Sequence, residues 1–321
     1  MLEPGSGREL TTEIELRIDP LTGHRSRILP DRGLMPRAAF DLEALARETQ
    51  PACPFCAERI EWLTPRWPAD ITADGRFARG EAVLFPNLHA YGSYSAVSVY
   101  SPALHFLPVG RLRAQLLADN LAIQVDFDRA VAAADPGACW ASINANHMLP
   151  SGSSLFHPHL QGIVDVEPTS MQRLLADVPA ERFAGYLAAE RAAGERYLGN
   201  TGQIEWLASF APIAPGELRA FIPGHASPTQ LDDDLVAELA HGLALALSAY
   251  AELGFESFNL AIYGAPPETD GYMLNLRLCA RSSPRPLYRS DSTFLERLHW
   301  EGAVDIAPER LAEQIRDRFR S

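Results

Sequence analysis

The sequence lacks several features that would assign it to a particular class of protein. None of its apolar runs is long enough to cross a bilayer. Residues 1–5 contain no basic start followed by an apolar stretch, so no secretory signal is expected. Basic residues number 28 against 41 acidic ones, and the net charge of −13 argues against a general nucleic-acid binder. We therefore expect a cytoplasmic protein whose partners include neither a membrane nor a nucleic acid.

Cysteine is also scarce, since four cysteines in 321 residues do not make a disulfide scaffold. Cys53 and Cys56 form a CxxC pair, which in a cytoplasmic protein is typical of a metal or redox site. Cys139 and Cys279 stand alone in apolar, strand-like segments, where a thiol packs as a small hydrophobic residue. The CxxC pair is therefore the cysteine candidate for chemistry.

The length and the 47% of hydrophobic residues are sufficient for two domain-sized units. The hydrophobic pattern repeats one order of elements: strands, then a Pro and a His, then a long helix, then two more strands. The predicted strands are 81–85, 95–100, 140–146, 204–210, 218–222, 257–263 and 272–280. The two long helices are predicted at 109–134 and 232–253. We interpret this order as the internal duplication of an α+β unit.

Three further segments flank or join the two predicted repeats. Residues 13–29 alternate around a Pro-Leu-Thr-Gly turn and predict a β-hairpin. An Ala-, Glu- and Arg-rich stretch over 170–198 predicts a helical connector, and 308–319 predicts a closing helix.

The two repeats differ in their last strand. In the first repeat, His157, His159 and Gln161 alternate and therefore share one face of the strand. A loop of small residues precedes them and includes Gly152, Ser153 and Ser154. The corresponding stretch of the second repeat, 272–277, contains no histidine. We interpret the second repeat as a copy that kept the fold and lost the chemistry.

An HxH pair alone is common on polar strand faces, but the loop before it and Gln161 after it favour a phosphate site. A neutral imidazole, with an ordinary pKa of ~6.5, is a competent nucleophile toward the α-phosphorus of a nucleotide. Gln161 can donate its amide to the phosphate oxygens, and the Gly152–Ser154 loop can donate N–H groups and hydroxyls. Arg32 can add a fixed positive charge.

The CxxC pair can contribute two of the four ligands that a structural zinc ion requires. His105, which follows a predicted strand, and His157 can supply the other two and leave His159 free. His147 is the alternative third histidine, and a reduced, metal-free CxxC is the alternative to a metal site.

Taken together, these motifs resemble the galactose-1-phosphate uridylyltransferase family of the histidine-triad superfamily, over nearly the whole chain. The matching segments are Asp19-Pro20-Leu21-Thr22-Gly23 with Arg32, Cys53-Pro54-Phe55-Cys56, Phe85-Pro86-Asn87, Ser101-Pro102 with His105, Asn146, and Gly152-x-Ser154-x-x-His157-Pro158-His159-x-Gln161. The last segment is highly specific. It differs from the family pattern in Leu160, which stands where the family has glycine.

The resemblance implies an α+β fold of two tandem histidine-triad-like domains, each a mostly antiparallel half-barrel sheet with a long packed helix. Residues 1–168 would form the catalytic domain with the zinc motif, and residues 169–321 a degenerate copy. It also implies a homodimer.

The same resemblance implies the roles of individual residues. His159 would be the nucleotidylated nucleophile and Gln161 its phosphate-binding partner. Zinc would be held by Cys53, Cys56, His105 and His157. The nucleotide or its phosphates would be contacted by Arg32, Asn87, Asn146 and Ser154.

The expected enzyme is a nucleotidyltransferase that moves a nucleoside monophosphate from a nucleoside-diphosphate sugar to a sugar 1-phosphate. The resemblance implies uracil as the base, whereas Asn87 alone does not distinguish uracil from adenine. Near the C-terminus only Phe294 matches the family segment that grips the sugar, so the acceptor stays open. The alternatives are a phosphorylase or hydrolase that uses the same histidine on a nucleoside-diphosphate sugar or dinucleoside polyphosphate, and a non-catalytic nucleotide-binding protein.

Overall fold

A computed structural model describes residues 1–29, 41–284 and 292–320 of the chain. The strands are β1 (Glu15–Ile18), β2 (Arg25–Ile28), β3 (Phe77–Arg79), β4 (Ala82–Pro86), β5 (Tyr94–Val99), β6 (Trp140–His147), β7 (His159–Asp165), β8 (Tyr197–Thr201), β9 (Ile204–Ala208), β10 (Leu218–Ile222), β11 (Ser257–Tyr263), β12 (Leu274–Arg281) and β13 (Glu301–Val304). The helices are α1 (Leu42–Thr49), α2 (Ile60–Leu63), α3 (Ala114–Ala134), α4 (Ser170–Ala176), α5 (Ala180–Ala193), α6 (Asp233–Glu252) and α7 (Pro308–Ile315).

Ten strands form one antiparallel sheet in the order β3-β4-β5-β7-β6-β11-β12-β10-β9-β8. Each half of this order has the same topology, with a long helix, α3 or α6, between its third and fourth strands in sequence. The central strands β6 and β11 pair with each other, so the two repeats share a single sheet. The predicted α+β fold of two repeats is confirmed, whereas a domain boundary at 168/169 stays a prediction.

The two long helices cover one face of the sheet. Alternate strand residues such as Ile143, Leu260 and Leu276 are buried there in one hydrophobic core with Leu239 and Leu243 of α6. Because side chains alternate along a strand, the residues between them point to the opposite face. We call this opposite side the open face, and His159 and Gln161 lie on it.

The predicted hairpin is confirmed as β1 and β2, and β13 joins it in a small three-stranded sheet. Its turn is closed by Asp19, whose carboxylate accepts the backbone N–H groups of Leu21 and Thr22, while Gly23 adopts a left-handed φ of 73°. The carboxylate of Asp19 also contacts Arg219 of β10 and Arg277 of β12. The hairpin therefore covers part of the open face of the second half, and α4 and α5 pack beside it.

Some element boundaries differ from those predicted. Helix α3 begins at Ala114 rather than 109, because Pro108 starts a separate 3₁₀ turn, Val109–Arg111. The predicted connector over 170–198 is two helices that end before β8, with Pro179 at the break. The closing helix continues beyond α7 as a 3₁₀ turn to Phe319. Across the described part of the chain, every helix is too short or too polar to span a membrane.

Candidate active site and metal centre

A cavity of about 370 Å³ opens beside β7 on the open face of the first half. Its lining combines aromatic walls with a few polar groups, including Phe55, Phe85, Asn87, Ser154, His159 and Gln161. Apolar walls with a few placed polar side chains are typical of small-molecule sites. The structure therefore brings four of the predicted site residues, Asn87, Ser154, His159 and Gln161, to one cavity.

The ring of His159 is held in one tautomer. Its Nδ1 donates a hydrogen bond to the backbone carbonyl of His157 at 2.8 Å, so Nε2 carries the lone pair. Phe55 packs edge-on against this ring, with centroids 5.5 Å apart. Burial lowers the pKa of His159 below its ordinary value, which keeps the imidazole neutral. The result is a neutral imidazole in a fixed orientation, with its Nε2 lone pair unprotonated, that lines the cavity.

Four buried donors cluster next to this strand: Cys53, Cys56, His105 and His157. Their ligand atoms all lie within 4.8 Å of one another. The Nδ1 atom of His157 is 3.6 Å from Cys53 Sγ and 3.8 Å from Cys56 Sγ, and His105 Nδ1 is 3.4 Å from Cys56 Sγ. Zn–S and Zn–N bonds of ~2.3 and ~2.0 Å in a tetrahedron require N–S separations of about 3.5 Å. The cluster therefore has the dimensions of a Cys₂His₂ metal site.

The surroundings of the two histidines orient both Nδ1 atoms toward the cysteines. His157 Nε2 donates to the carbonyl of Ser101 at 2.9 Å. His105 Nε2 lies 3.0 Å from the hydroxyl of Thr49, which itself donates to a backbone carbonyl of α1. Such outer contacts fix the tautomer of a metal-binding imidazole. Burial raises the pKa of Cys56 to about 12 when no cation is bound. The two cysteines would therefore ionise together only with a positive charge between them, which a metal ion would supply.

The alternative ligand, His147, is not in this cluster. It is buried and stacks on Phe258 with ring centroids 4.8 Å apart. Burial lowers the pKa of His147 to about 4, so it is a neutral core residue.

The loop before β7 is shaped by its backbone. Gly152 has a φ of 96°, which a residue with a Cβ rarely adopts. The hydroxyl of Ser153 donates to the carbonyl of Leu155 at 2.7 Å, so this residue can offer the cavity only its backbone N–H. Ser154 lines the cavity.

The side-chain oxygen of Asn87 accepts the backbone N–H of His89 at 3.0 Å, which leaves the amide N–H groups of Asn87 as donors. The predicted residue Arg32 lies outside the described residues.

Asn146 lies on the open face of β6. Asn144 is opposite Gln161 in the ladder, so Asn146, two residues further along, is at the level of His159. On its other side Asn146 pairs with Asn259 of β11.

The sequence did not predict three residues that lie at or beside the site. Phe55 packs against His159, and its position between the two cysteines could have indicated it. Asn259 of the second half contacts Asn146, and Arg281 contacts Asn259. The sequence contains no local signal for either residue because these contacts follow from the pairing of the strands.

Comparison with known proteins defines the relationship of the chain. No protein-family model matches it. An uncharacterized protein of Archaeoglobus fulgidus is 32% identical over 312 residues, which cover 95% of this chain and 92% of that protein. The two proteins belong to one family.

Solved structures define the fold. An ADP-glucose phosphorylase from Arabidopsis thaliana with bound ADP-glucose superposes with a TM-score of 0.71 at 18% identity, covering 95% of this chain and 99% of that one. A uridylyltransferase superposes with a TM-score of 0.62 at 21% identity, covering 95% and 98%. The chain has the galactose-1-phosphate uridylyltransferase fold. The resemblance expected from the motifs is thus confirmed, and the uridylyltransferase fold is shared by proteins named as transferases and as phosphorylases.

Proposed function

We propose that the protein is a nucleotidyltransferase that forms a covalent nucleotidyl intermediate on Nε2 of His159. The observation that carries the proposal is the 2.8 Å hydrogen bond that occupies His159 Nδ1 and leaves Nε2 as the nucleophile of a cavity-lining ring. A non-catalytic nucleotide-binding protein would not require this restraint.

The reaction has two displacements at phosphorus. Nε2 of His159 attacks the α-phosphorus of a nucleoside-diphosphate sugar, an N–P bond forms, and the bond to the β-phosphate oxygen breaks. The sugar 1-phosphate leaves with that electron pair. A phosphate oxygen of a second sugar 1-phosphate then attacks the same phosphorus, the N–P bond breaks, and the histidine is regenerated neutral.

The neighbouring polar groups stabilise the charge that develops on the non-bridging oxygens. Gln161, Ser154 and Asn146 would donate side-chain hydrogen bonds, and the Gly152–Ser153 backbone would add N–H groups. Arg32 would supply a positive charge. Asn87 would donate to an acceptor atom of the base, for which uracil is the base implied by the family motifs.

The metal proposed for the Cys53, Cys56, His105 and His157 site is zinc, in a structural role. Four protein ligands would complete the tetrahedral coordination of the ion and leave no open position for a substrate. His157 and His159 are two residues apart, so a bound ion would fix the start of β7 and with it the nucleophile.

The acceptor distinguishes the two candidate reactions. The likeness to an ADP-glucose phosphorylase favours a test of inorganic phosphate, which would release a nucleoside diphosphate in place of a nucleotide sugar. The chemistry at His159 is the same for both acceptors. A homodimer stays a prediction.

Incubation with UDP-glucose or ADP-glucose labelled with ³²P at the α-phosphate, followed by a denaturing gel, tests the proposal. We expect protein-bound label that survives base but not acid, as a phosphoramidate does. His159→Gly should remove it, with a loss of at least ~10³-fold in transfer rate. Equal labelling of wild type and His159→Gly, or no label from either donor, would contradict the proposal. A panel of sugar 1-phosphates and inorganic phosphate then identifies the acceptor that discharges the label.

A further inference from the structure

The two halves of the sheet are linked on the open face by a chain of side-chain hydrogen bonds. Arg281 Nη1 donates to Asn259 Oδ1 at 2.6 Å. Asn259 Nδ2 donates to Asn146 Oδ1 at 2.6 Å and to the backbone carbonyl of Ser151 at 2.9 Å. These hydrogen bonds therefore connect the positive charge of Arg281 on β12, through Asn259 on β11, to Asn146 on β6.

The partners of Asn259 determine which way its amide faces. A guanidinium group can only donate, so Arg281 requires the amide oxygen. A backbone carbonyl can only accept, so Ser151 requires the amide nitrogen. Both constraints give the same orientation.

The orientation of Asn146 follows from that of Asn259. Since Asn259 presents N–H groups, Asn146 must present its oxygen to Asn259, and its own NH₂ group is directed away from that contact. Asn146 lies at the level of His159 in the sheet. Its NH₂ group is thereby left to donate to another group at the level of the nucleophile.

We propose that Asn259 is a positioning residue that holds Asn146 as a hydrogen-bond donor to the transferred phosphate. This inference rests on the proposed nucleotidyl transfer. A flipped Asn146 would turn its carbonyl oxygen toward the non-bridging phosphate oxygens and repel them. The second half of the molecule thus contributes to the site in the first half.

A double-mutant cycle on Asn146 and Asn259 tests this role. Asn259→Asp keeps the size and the contact to Arg281 but cannot donate to Asn146, which is expected to turn its NH₂ group toward the new carboxylate. The readout is the single-turnover rate of His159 labelling at saturating donor, with apparent donor affinity measured in parallel. Asn275→Asp is the matched control, since this asparagine lies on the same open face and its Nδ2 donates to the carbonyl of Met273 at 2.9 Å.

We expect Asn146→Ala and Asn259→Asp each to slow labelling by about 10- to 100-fold, the range for loss of a donor to a developing charge. In the Asn146→Ala background, Asn259→Asp should change the rate by less than about twofold, because its effect passes through Asn146. The control should retain the wild-type rate. Thermal unfolding identifies any variant that fails to fold, in which case Asn259→Ala replaces Asn259→Asp in the cycle.

Each outcome decides the inference. If the wild type is labelled and the two losses multiply, Asn259 does not act through Asn146, and the inference is overturned while the proposed function stands. If the wild type accepts label from neither donor, the proposed function fails and the inference fails with it. Labelling with non-multiplying losses supports both.

Discussion

The two halves of the sheet have the same strand order, but their open faces differ in whether other segments cover them. The two halves meet where β6 pairs with β11. One row of paired residues crosses this junction, in the order Gln161, Asn144, Ala261, Arg277, so Arg277 is the counterpart of Gln161. By the same register Asn275 takes the place of His159. The face is a cavity in the first half, whereas in the second half it is covered by the hairpin together with α4 and α5.

The covered face holds a buried set of four charges. Asp19 lies 3.2 Å from Arg219 and 3.6 Å from Arg277, and Arg277 lies 3.1 Å from Glu217. All four side chains are at most 2% exposed. One backbone thus supports either a cavity with neutral donors or an ion-paired interface. The choice depends on what covers the face.

Removal of the metal ligands should have the largest effect, since bound metal would stabilise only the first half. Cys56→Ser is expected to lose the metal and at least about 4 kcal/mol of unfolding free energy, because structural zinc contributes directly to folding. Chelation should destabilise the wild type and leave this variant unchanged. Elemental analysis and thermal unfolding check both results, with Cys139→Ser as the control. A wild type that carries no metal and is insensitive to chelators would contradict the prediction.

Loss of the Asp19 carboxylate should have the next largest effect, and it acts on the second half. Asp19→Asn leaves two buried guanidinium groups, Arg219 and Arg277, and a single carboxylate in the cluster. The loss in unfolding free energy should be about 3 kcal/mol. Denaturant unfolding measures this difference. Asp74→Asn, an exposed aspartate, is the control and should remain within about 0.5 kcal/mol of wild type. Equal stability of both variants would show that the charge cluster does not hold the hairpin.

Acid should weaken the same cluster. Burial alone would raise the pKa of Asp19, but Arg219 and Arg277 outweigh burial and lower that pKa to about 2. Its folded-state pKa is thus below its unfolded value of 3.8. The resulting stability, about 2 kcal/mol, is present above pH ~4 and is lost as the pH falls through about 2.

The acid dependence can be assigned to Asp19 by comparison with the neutral variant. Unfolding free energies of wild type and Asp19→Asn, measured between pH 5 and 2, should converge as the pH falls. Parallel curves would place the acid dependence elsewhere.

Phe55 should have the smallest effect of the set. Phe55→Leu removes the ring that packs edge-on against His159 at 5.5 Å, a contact worth about 1 kcal/mol. We expect labelling of His159 to slow about five- to tenfold, with the metal retained. Phe106→Leu, which alters an aromatic pair at 6.2 Å with Phe156, is the control and should not slow labelling. An unchanged rate in Phe55→Leu would remove this residue from the site.

Patterns confined to one element predicted much of this molecule. Strands β10 and β11 have the predicted bounds because their alternation is uninterrupted. The set of cysteines and histidines was also predicted, since their chemistry restricts the choice of ligands. Edge strand β8 was missed because Gly199 and Asn200 interrupt its pattern, and its neighbour in sequence is a long helix.

Contacts between distant segments could not be predicted in the same way. The contact of Asp19 with Arg219 joins residues 200 positions apart, and that of Asn146 with Asn259 joins residues 113 apart. Both depend on the register of the assembled sheet, which a single sequence does not specify.

Tandem mass spectrometry of the intermediate tests whether the first half carries the chemistry. The protein is incubated with a nucleoside-diphosphate sugar, digested at alkaline pH, and searched for a peptide that has gained one nucleoside monophosphate. We predict the adduct on His159, in the β7 peptide, and none on the β12 peptide that contains Asn275. An adduct on any other residue, or full labelling of His159→Gly, would contradict the assignment of the chemistry to His159.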